Sequence, residues 1–282
     1  MPHRVAVFLL LVTSVLWSLG GVLIKSVEWP SLAKSGARSL FAAAVLLAWI
    51  RRPAFTFSRT QICAAVAYAG TVSLFVVAND RTTAANSIFL QYTAPIYVAL
   101  LGHWLLGEKA RRLDWFCIVV ALAGIALFFR DDIDTRGAWG IAAALGSGFS
   151  FAVMVLCLRL EKDRSPATSL LLGNILTVLI AIPAAVQAGL PSAKSCGILA
   201  VLGVFQLGVP YVLYSISIQR VTALEAILLP MLEPILNPIW VALNKGEVPG
   251  FWSICGAVLV MFAVAIRAVG GIRGKVIANS NQ

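Results

Sequence analysis

Uninterrupted apolar stretches, each long enough to cross a bilayer as an α-helix of roughly 17–25 residues, follow one another along nearly the whole chain. Ten are legible: Val5–Ile24, Leu32–Ile50, Gln61–Ala78, Ala84–Leu106, Leu113–Phe129, Gly137–Leu158, Pro166–Val186, Ser195–Ser217, Leu224–Leu243 and Pro249–Ile266, numbered here spans 1 to 10. Strands of a membrane barrel would instead alternate apolar and polar residues over about ten positions. The pattern predicts an all-α membrane protein with ten transmembrane helices. The connections are short, and none has room for a catalytic or nucleotide-binding domain. Span 1, with Arg4 as its basic flank, has the outline of a signal peptide, but it runs for twenty uncharged residues and no clear small-x-small site follows, so it reads as a helix.

Composition agrees. Of 282 residues 60% are hydrophobic, against about 45–50% in soluble domains, and the mean hydropathy is +0.91. The net charge of +10 does not indicate nucleic acid, because the basic residues sit in clusters between apolar stretches and not along one face. That placement carries topology. With the N-terminus cytoplasmic, fourteen Lys and Arg fall on the cytoplasmic side, seven on the outer side, and Arg38 inside span 2. The bias predicts cytoplasmic N- and C-termini and an even helix number, in a multi-pass protein of a bacterial inner membrane. Five cysteines, an odd number with no CxxC pair, argue against a disulfide framework or metal site.

A repeat is visible as well. Thr83-Ala84, Pro95 and Gly107-Glu108 recur as Thr222-Ala223, Pro234 and Gly246-Glu247 at one offset of 139. Leu16-Trp17-Ser18 is loosely echoed by Gly148-Phe149-Ser150. Residues 1–130 and 137–270 therefore read as two five-helix units, with 271–282 as a cytoplasmic tail. Five is odd, so the second unit enters the membrane from the opposite face, and inverted repeats of this kind place a transport site between the halves.

Glu233-Pro234, twelve residues before Gly246-Glu247, resembles the signature of EamA-type carriers in the drug/metabolite transporter superfamily. Pro95 to Gly107-Glu108 is similar to the first-repeat counterpart, with Ala94 standing where Glu233 stands in the second. Trp17-Ser18 and Arg38 also fit the family, and the resemblance covers residues 4–268. It implies a transporter of amino acids, other metabolites, drugs or nucleotide precursors, and the layout is nearest to the aromatic and hydrophobic amino-acid exporters.

Glu233 is the sharpest chemical signal, since a carboxylate inside an apolar helix requires a cavity or a partner. It reads as a contact for a substrate amine, as a proton carrier, or as a structural group beside Pro234. Arg38 and Lys25, at the outer ends of spans 2 and 1, are candidate charge contacts for a carboxylate or cations reaching the headgroups, with the headgroup reading favoured for Lys25. Pro95 and Pro234 are candidate hinges, with Pro210 and Pro238 also inside spans. The predicted substrate-binding wall, from spans 1, 3, 4, 6, 8 and 9, comprises Trp17, Phe75, Asn79, Tyr92, Phe149, Tyr214, Glu233 and Asn237, with Gln91, Gln206 and Tyr211 as further polar or aromatic positions. Gly20-Gly21, Gly146, Gly148 and Ala142–Ala144 read as surfaces of close helix approach. HExxH, G-x-S-x-G and P-loop motifs are missing. The expected protein is thus not an enzyme. It needs no cofactor, uses a gradient, and has a small solute and lipid as partners. Its oligomeric state stays open, with a monomer compatible. The leading function is export of neutral hydrophobic or aromatic amino acids by alternating access. A channel for small solutes, a carrier of drugs or nucleotide precursors, and an intramembrane enzyme or structural subunit are the alternatives.

Overall fold

A computed structural model of the chain describes residues 1–82, 84–128, 130, 137–236 and 251–280. The helices are α1 His3–Trp17, α2 Gly20–Lys25, α3 Ser31–Ile50, α4 Arg59–Arg81, α5 Ala84–Gln91, α6 Ala94–Leu106, α7 Arg112–Phe128, α8 Ala138–Leu160, α9 Pro166–Ala188, α10 Ala193–Val201, α11 Val209–Ser217, α12 Ala223–Leu228 and α13 Phe251–Ser280. Among the described residues, six helical stretches are long and apolar enough to cross a membrane: Ser31–Ile50, Arg59–Arg81, Ser87–Leu106, Ala138–Leu160, Pro166–Ala188 and Ala193–Ser217.

Several helix starts are fixed by side-chain caps, which satisfy N–H groups that a helix leaves open. Ser58 accepts from the Gln61 N–H at the start of α4, and Ser192 from the Ser195 N–H at the start of α10. Thr222 and Glu225 form a reciprocal capping box at the start of α12.

Four predicted spans are interrupted. Span 1 breaks at Ser18-Leu19, between α1 and α2. Ser14 and Ser18 hydroxyls bond back to the Leu11 and Val15 carbonyls at 2.7 and 2.6 Å, a pattern that bends helices. Span 4 breaks at Tyr92-Thr93, and Pro95 lies in the first turn of α6, where its missing N–H is harmless. Span 8 opens into a π-type stretch, Leu202–Gly208, between α10 and α11. Span 9 passes from α12 into a 3₁₀ turn, Leu229–Leu232, that contains Pro230. Glu233 and Pro234 come straight after that turn; residues 237–243 of span 9, with Asn237 and Pro238, and Gly246 and Glu247 beyond the span lie outside the described residues. Residues 271–280, expected to be a tail, continue α13 as helix to Ser280.

The helices pack in a characteristic set of pairs. α4 lies along α8, α3 along α9, and α7 along α13; α4 also meets α9, and α3 meets the π-type stretch. α1 packs on α11 and on the 3₁₀ turn, while α5 and α6 pack on α8. Small residues permit the closest approaches. An added Cβ on Gly36 would strike Ala181, on Gly124 would come 2.9 Å from the Gly256 carbonyl oxygen, and on Gly148 would come 2.8 Å from the Gln91 carbonyl oxygen. Gly148 thereby lets the α5–α6 break sit directly on α8. The outward faces carry large apolar side chains, among them Phe8, Trp104, Trp139, Val186 and Phe262, as a lipid-facing surface should.

Candidate functional site

The helix breaks converge on a cavity inside the bundle. Trp17 from α1, Arg38 from α3, Thr71, Val72 and Phe75 from α4, Gln91 from α5, Phe151 from α8, Gln206 and Leu207 from the π-type stretch, Tyr211 from α11 and Glu233 line it. About 40 Å³ of the cavity is open to a water-sized sphere, room for a few waters, so a larger solute enters only as the wall moves apart.

Trp17 is the centre of the aromatic wall. Its ring lies 5.9 Å from Phe151, 5.3 Å from Tyr211 and 5.6 Å from Tyr214, centroid to centroid, within the range of favourable ring pairs. Tyr211 is also edge-on to Tyr68 at 4.9 Å, and the Tyr68 hydroxyl donates to Asn174 Oδ1 at 2.9 Å. The wall is thus built on a second layer of satisfied side chains.

Two charged groups face the cavity from different elements. Glu233 is held by Tyr92, whose buried hydroxyl donates to Glu233 Oε2 at 2.7 Å and lies 3.0 Å from the Pro230 carbonyl oxygen. The break in span 4 therefore touches the break in span 9 through one hydroxyl. Arg38 is 2% exposed, and its Nη2 donates to Gln206 Oε1 at 2.5 Å. Gln91 is anchored through Ser147: Gln91 Nε2 donates to Ser147 Oγ at 2.8 Å, and that hydroxyl donates to the Thr71 carbonyl at 2.8 Å.

A polar cluster ties the helices together at one end of the bundle. Gly107 ends α6 at φ 69°, a conformation that favours glycine. Glu108 then turns across the bundle, accepting from Arg159 Nε through Oε1 and from the Ala223 N–H through Oε2, both at 2.8 Å. Arg267 on α13 lies 2.7 Å from Asp114 Oδ1 on α7 and 3.4 Å from Glu225 Oε1 on α12, and His3 on α1 approaches Glu225 at 3.2 Å. Elements from both sequence halves are joined here. Toward the start of α3, Lys34 pairs with Asp80 at 3.0 Å.

The profile of the EamA-like transporter family matches residues 4–130 and again residues 138–268. The chain belongs to the EamA-like transporter family. It is a multi-pass membrane transporter and not an enzyme. An uncharacterized transporter of Archaeoglobus fulgidus is 25% identical over 258 residues, covering 91% of this chain and 94% of the relative. The threonine/homoserine exporter RhtA of Escherichia coli is 26% identical over 262 residues, covering 88% of this chain and 85% of the exporter. One crystal structure superposes with a TM-score of 0.80 over 96% of this chain and 99% of the other at 16% identity, a likeness of fold.

Of the residues singled out in the sequence, Trp17, Phe75, Glu233 and Arg38 line the cavity together with Gln91, Gln206 and Tyr211. Tyr92 is behind the wall, as the partner of Glu233, and Tyr214 is buried beneath Trp17. Asn79 is buried in α4, donating to the Phe75 carbonyl at 3.0 Å, and is not on the wall. Phe149 is 49% exposed on the outside of α8, against Tyr97 at 5.5 Å; Phe151 takes the wall position instead. Asn237 lies outside the described residues. Thr71, Val72, Phe151 and Leu207 went unnoticed in the sequence. Phe151 was legible: Ala144, Ser147, Gly148, Phe151 and Val155 recur at helical spacing on the packed face of α8, and Phe149 falls off it.

Proposed function

We propose that this transporter exports neutral amino acids by alternating access, with the cavity between Trp17, Arg38, Phe75 and Glu233 as the solute site. The observation that carries the reading is one cation and one carboxylate on a wall whose other side chains are apolar, aromatic or uncharged polar groups. Such a wall matches a zwitterion with an uncharged side chain. It suits a phosphorylated solute poorly, because only Arg38 among the lining residues is cationic. Glu233 is the contact for the ammonium group or for an exchanged proton. The amino-acid class is supported by the relative that is a threonine/homoserine exporter; the aromatic side chains favour solutes with larger apolar groups.

We further read the fold as ten spans in two inverted five-helix units, residues 1–130 and 137–270, with both termini cytoplasmic. The double family match supports the two units. So does the packing: span 3 lies on span 6 as span 8 lies on span 1, while spans 2 and 7, and 5 and 10, pair with each other. A half-turn that exchanges the units maps this set onto itself. The Lys/Arg asymmetry supports the orientation, and it puts the Glu108, Arg159 and Arg267 cluster at the cytoplasmic end. Hinges at the Pro95 and Pro234 breaks would let that end open as the other closes.

The test is export from cells. Cells overproducing the chain and fed dipeptides should release the free amino acid faster than cells carrying an empty vector. The panel runs from threonine to phenylalanine. Equal release for every member would count against the reading.

A further inference from the structure

We propose that Arg38 is the carboxylate anchor of the cavity, and that the Gln206 carboxamide occupies the anchor when no solute is bound. The inference rests on reading the cavity as a solute site.

A guanidinium carries five N–H donors and is charged at any accessible pH. In Arg38 one of them is used, by Gln206, while Nε and Nη1 are buried without an acceptor. The side chain is 2% exposed, inside a helix that reads as a membrane span. Leaving a charge so placed unpaired is costly, and no described carboxylate reaches ion-pair distance of it. The contrast with the other interior arginines is informative. Arg159 ends on Glu108 and a backbone carbonyl, and Arg267 ends between Asp114 and Glu225. Those are structural arginines, with anions built in. Arg38 is the one of the three that lines the cavity, and its hydrogen-bond partner is the neutral Gln206 amide.

A second donor points the same way. Trp17 also lines the cavity, and its indole Nε1 is buried without an acceptor. Two lining side chains, Arg38 and Trp17, thus hold buried donors that meet no acceptor. A planar carboxylate fits those donors, because two oxygens can take two guanidinium N–H groups in parallel. A phosphate would bring a second charge that no other lining residue neutralises.

Gln206 is placed to act as the stand-in. It lies in the π-type stretch Leu202–Gly208, where the added turn width aims a side chain that an ordinary helix would direct elsewhere. Two glycines make room. A Cβ on Gly203 would stand 2.6 Å from the Arg38 carbonyl oxygen, so only glycine lets this stretch press onto α3. A Cβ on Gly20 would stand 2.8 Å from Gln206 Nε2. The amide oxygen thus presents Arg38 with one neutral acceptor, half of what a carboxylate offers and without its charge. An arriving carboxylate exchanges that bond for a charge-assisted pair.

The test is calorimetric binding to the purified full chain in detergent. The ligands are leucine, its carboxamide leucinamide, and its deaminated carboxylate isocaproate. The wild type should bind leucine about tenfold or more tighter than leucinamide, and should bind isocaproate. Arg38→Gln should collapse the leucine-to-leucinamide ratio to about one. Gln206→Glu places a permanent carboxylate on Arg38; it should weaken leucine and isocaproate about tenfold or more, with a melting temperature no lower than wild type. Gln206→Leu should bind both carboxylates at least as tightly as wild type. Equal wild-type affinity for leucine and leucinamide, no binding of either carboxylate, or an Arg38→Gln variant that keeps the ratio would each overturn the anchor. Arg38-dependent binding of isocaproate without binding of leucine would keep the anchor and remove the amino-acid reading.

Discussion

Tyr92 governs what Glu233 can do. Its hydroxyl donates 2.7 Å to Glu233 Oε2 from the break in span 4, while Glu233 faces the cavity from the break in span 9. A solute ammonium or a proton arriving at Glu233 therefore acts on a group already held by the other sequence half. Glu233→Gln keeps the shape and removes the charge. It should lower transport of a neutral amino acid about tenfold or more and flatten its pH dependence, because a bond to a charged group is worth about 1.5–3 kcal/mol. Tyr92→Phe should lower transport less and keep the pH dependence. Uptake into vesicles over a range of pH checks both, and a Gln variant with the wild-type profile would make Glu233 structural. At this scale the sequence is readable where physics leaves few options. A carboxylate or guanidinium in an apolar stretch must find a cavity or a partner, which is how Glu233 and Arg38 stand out. Aromatic residues carry no such constraint. Phe149 and Phe151 are alike in residue type, and it is the helical spacing of Ala144, Ser147, Gly148 and Val155 that puts Phe151 and not Phe149 on the packed face of α8. Asn79 looked like a wall residue for its polarity, yet it bonds its own helix at 3.0 Å.

At the scale of elements, the breaks matter more than the helices. Spans read as continuous from hydropathy, because hydropathy counts apolar residues and is blind to backbone direction. Proline is the visible part of the signal: Pro95, Pro230 and Pro234 all lie at the breaks in spans 4 and 9. The break at Ser18 goes with hydroxyls bonding backward, and the π-type stretch runs up to Pro210, whose missing N–H leaves the Gln206 carbonyl without its usual helical donor. Pro95 in the first turn of α6 cannot donate to the Gln91 carbonyl. Pro95→Ala supplies an N–H that should bond the Gln91 carbonyl, run α5 into α6 and so stiffen their junction. Exchange across the membrane should slow several-fold while solute affinity stays within about twofold, as expected when gating limits turnover. Paired measurements of exchange rate and equilibrium binding check this, and a fall in affinity at unchanged turnover would contradict a hinge there.

For the whole molecule, the sequence-level reading and the structure meet in the pairing of the halves. The offset of 139 between the Pro and Gly-Glu motifs is a statement about two copies; the Glu108 contacts give the motif its physical content. Gly107 turns the chain, and Glu108 crosses to the other half to cap α12 and pair with Arg159. What the sequence could not supply is the partner, since Arg159 and Ala223 lie 51 and 115 residues away. The central claim is that this assembly carries neutral amino acids through a single cavity by alternating access. Counterflow in proteoliposomes tests it most directly. Vesicles containing the purified chain are loaded with unlabelled amino acid and diluted into a trace of the labelled one. A carrier gives transient uphill accumulation of label, saturable, absent without internal amino acid, and strongly reduced in Glu233→Gln. Label that only equilibrates, at a rate proportional to concentration and indifferent to the internal solute, would contradict a carrier and identify a pore.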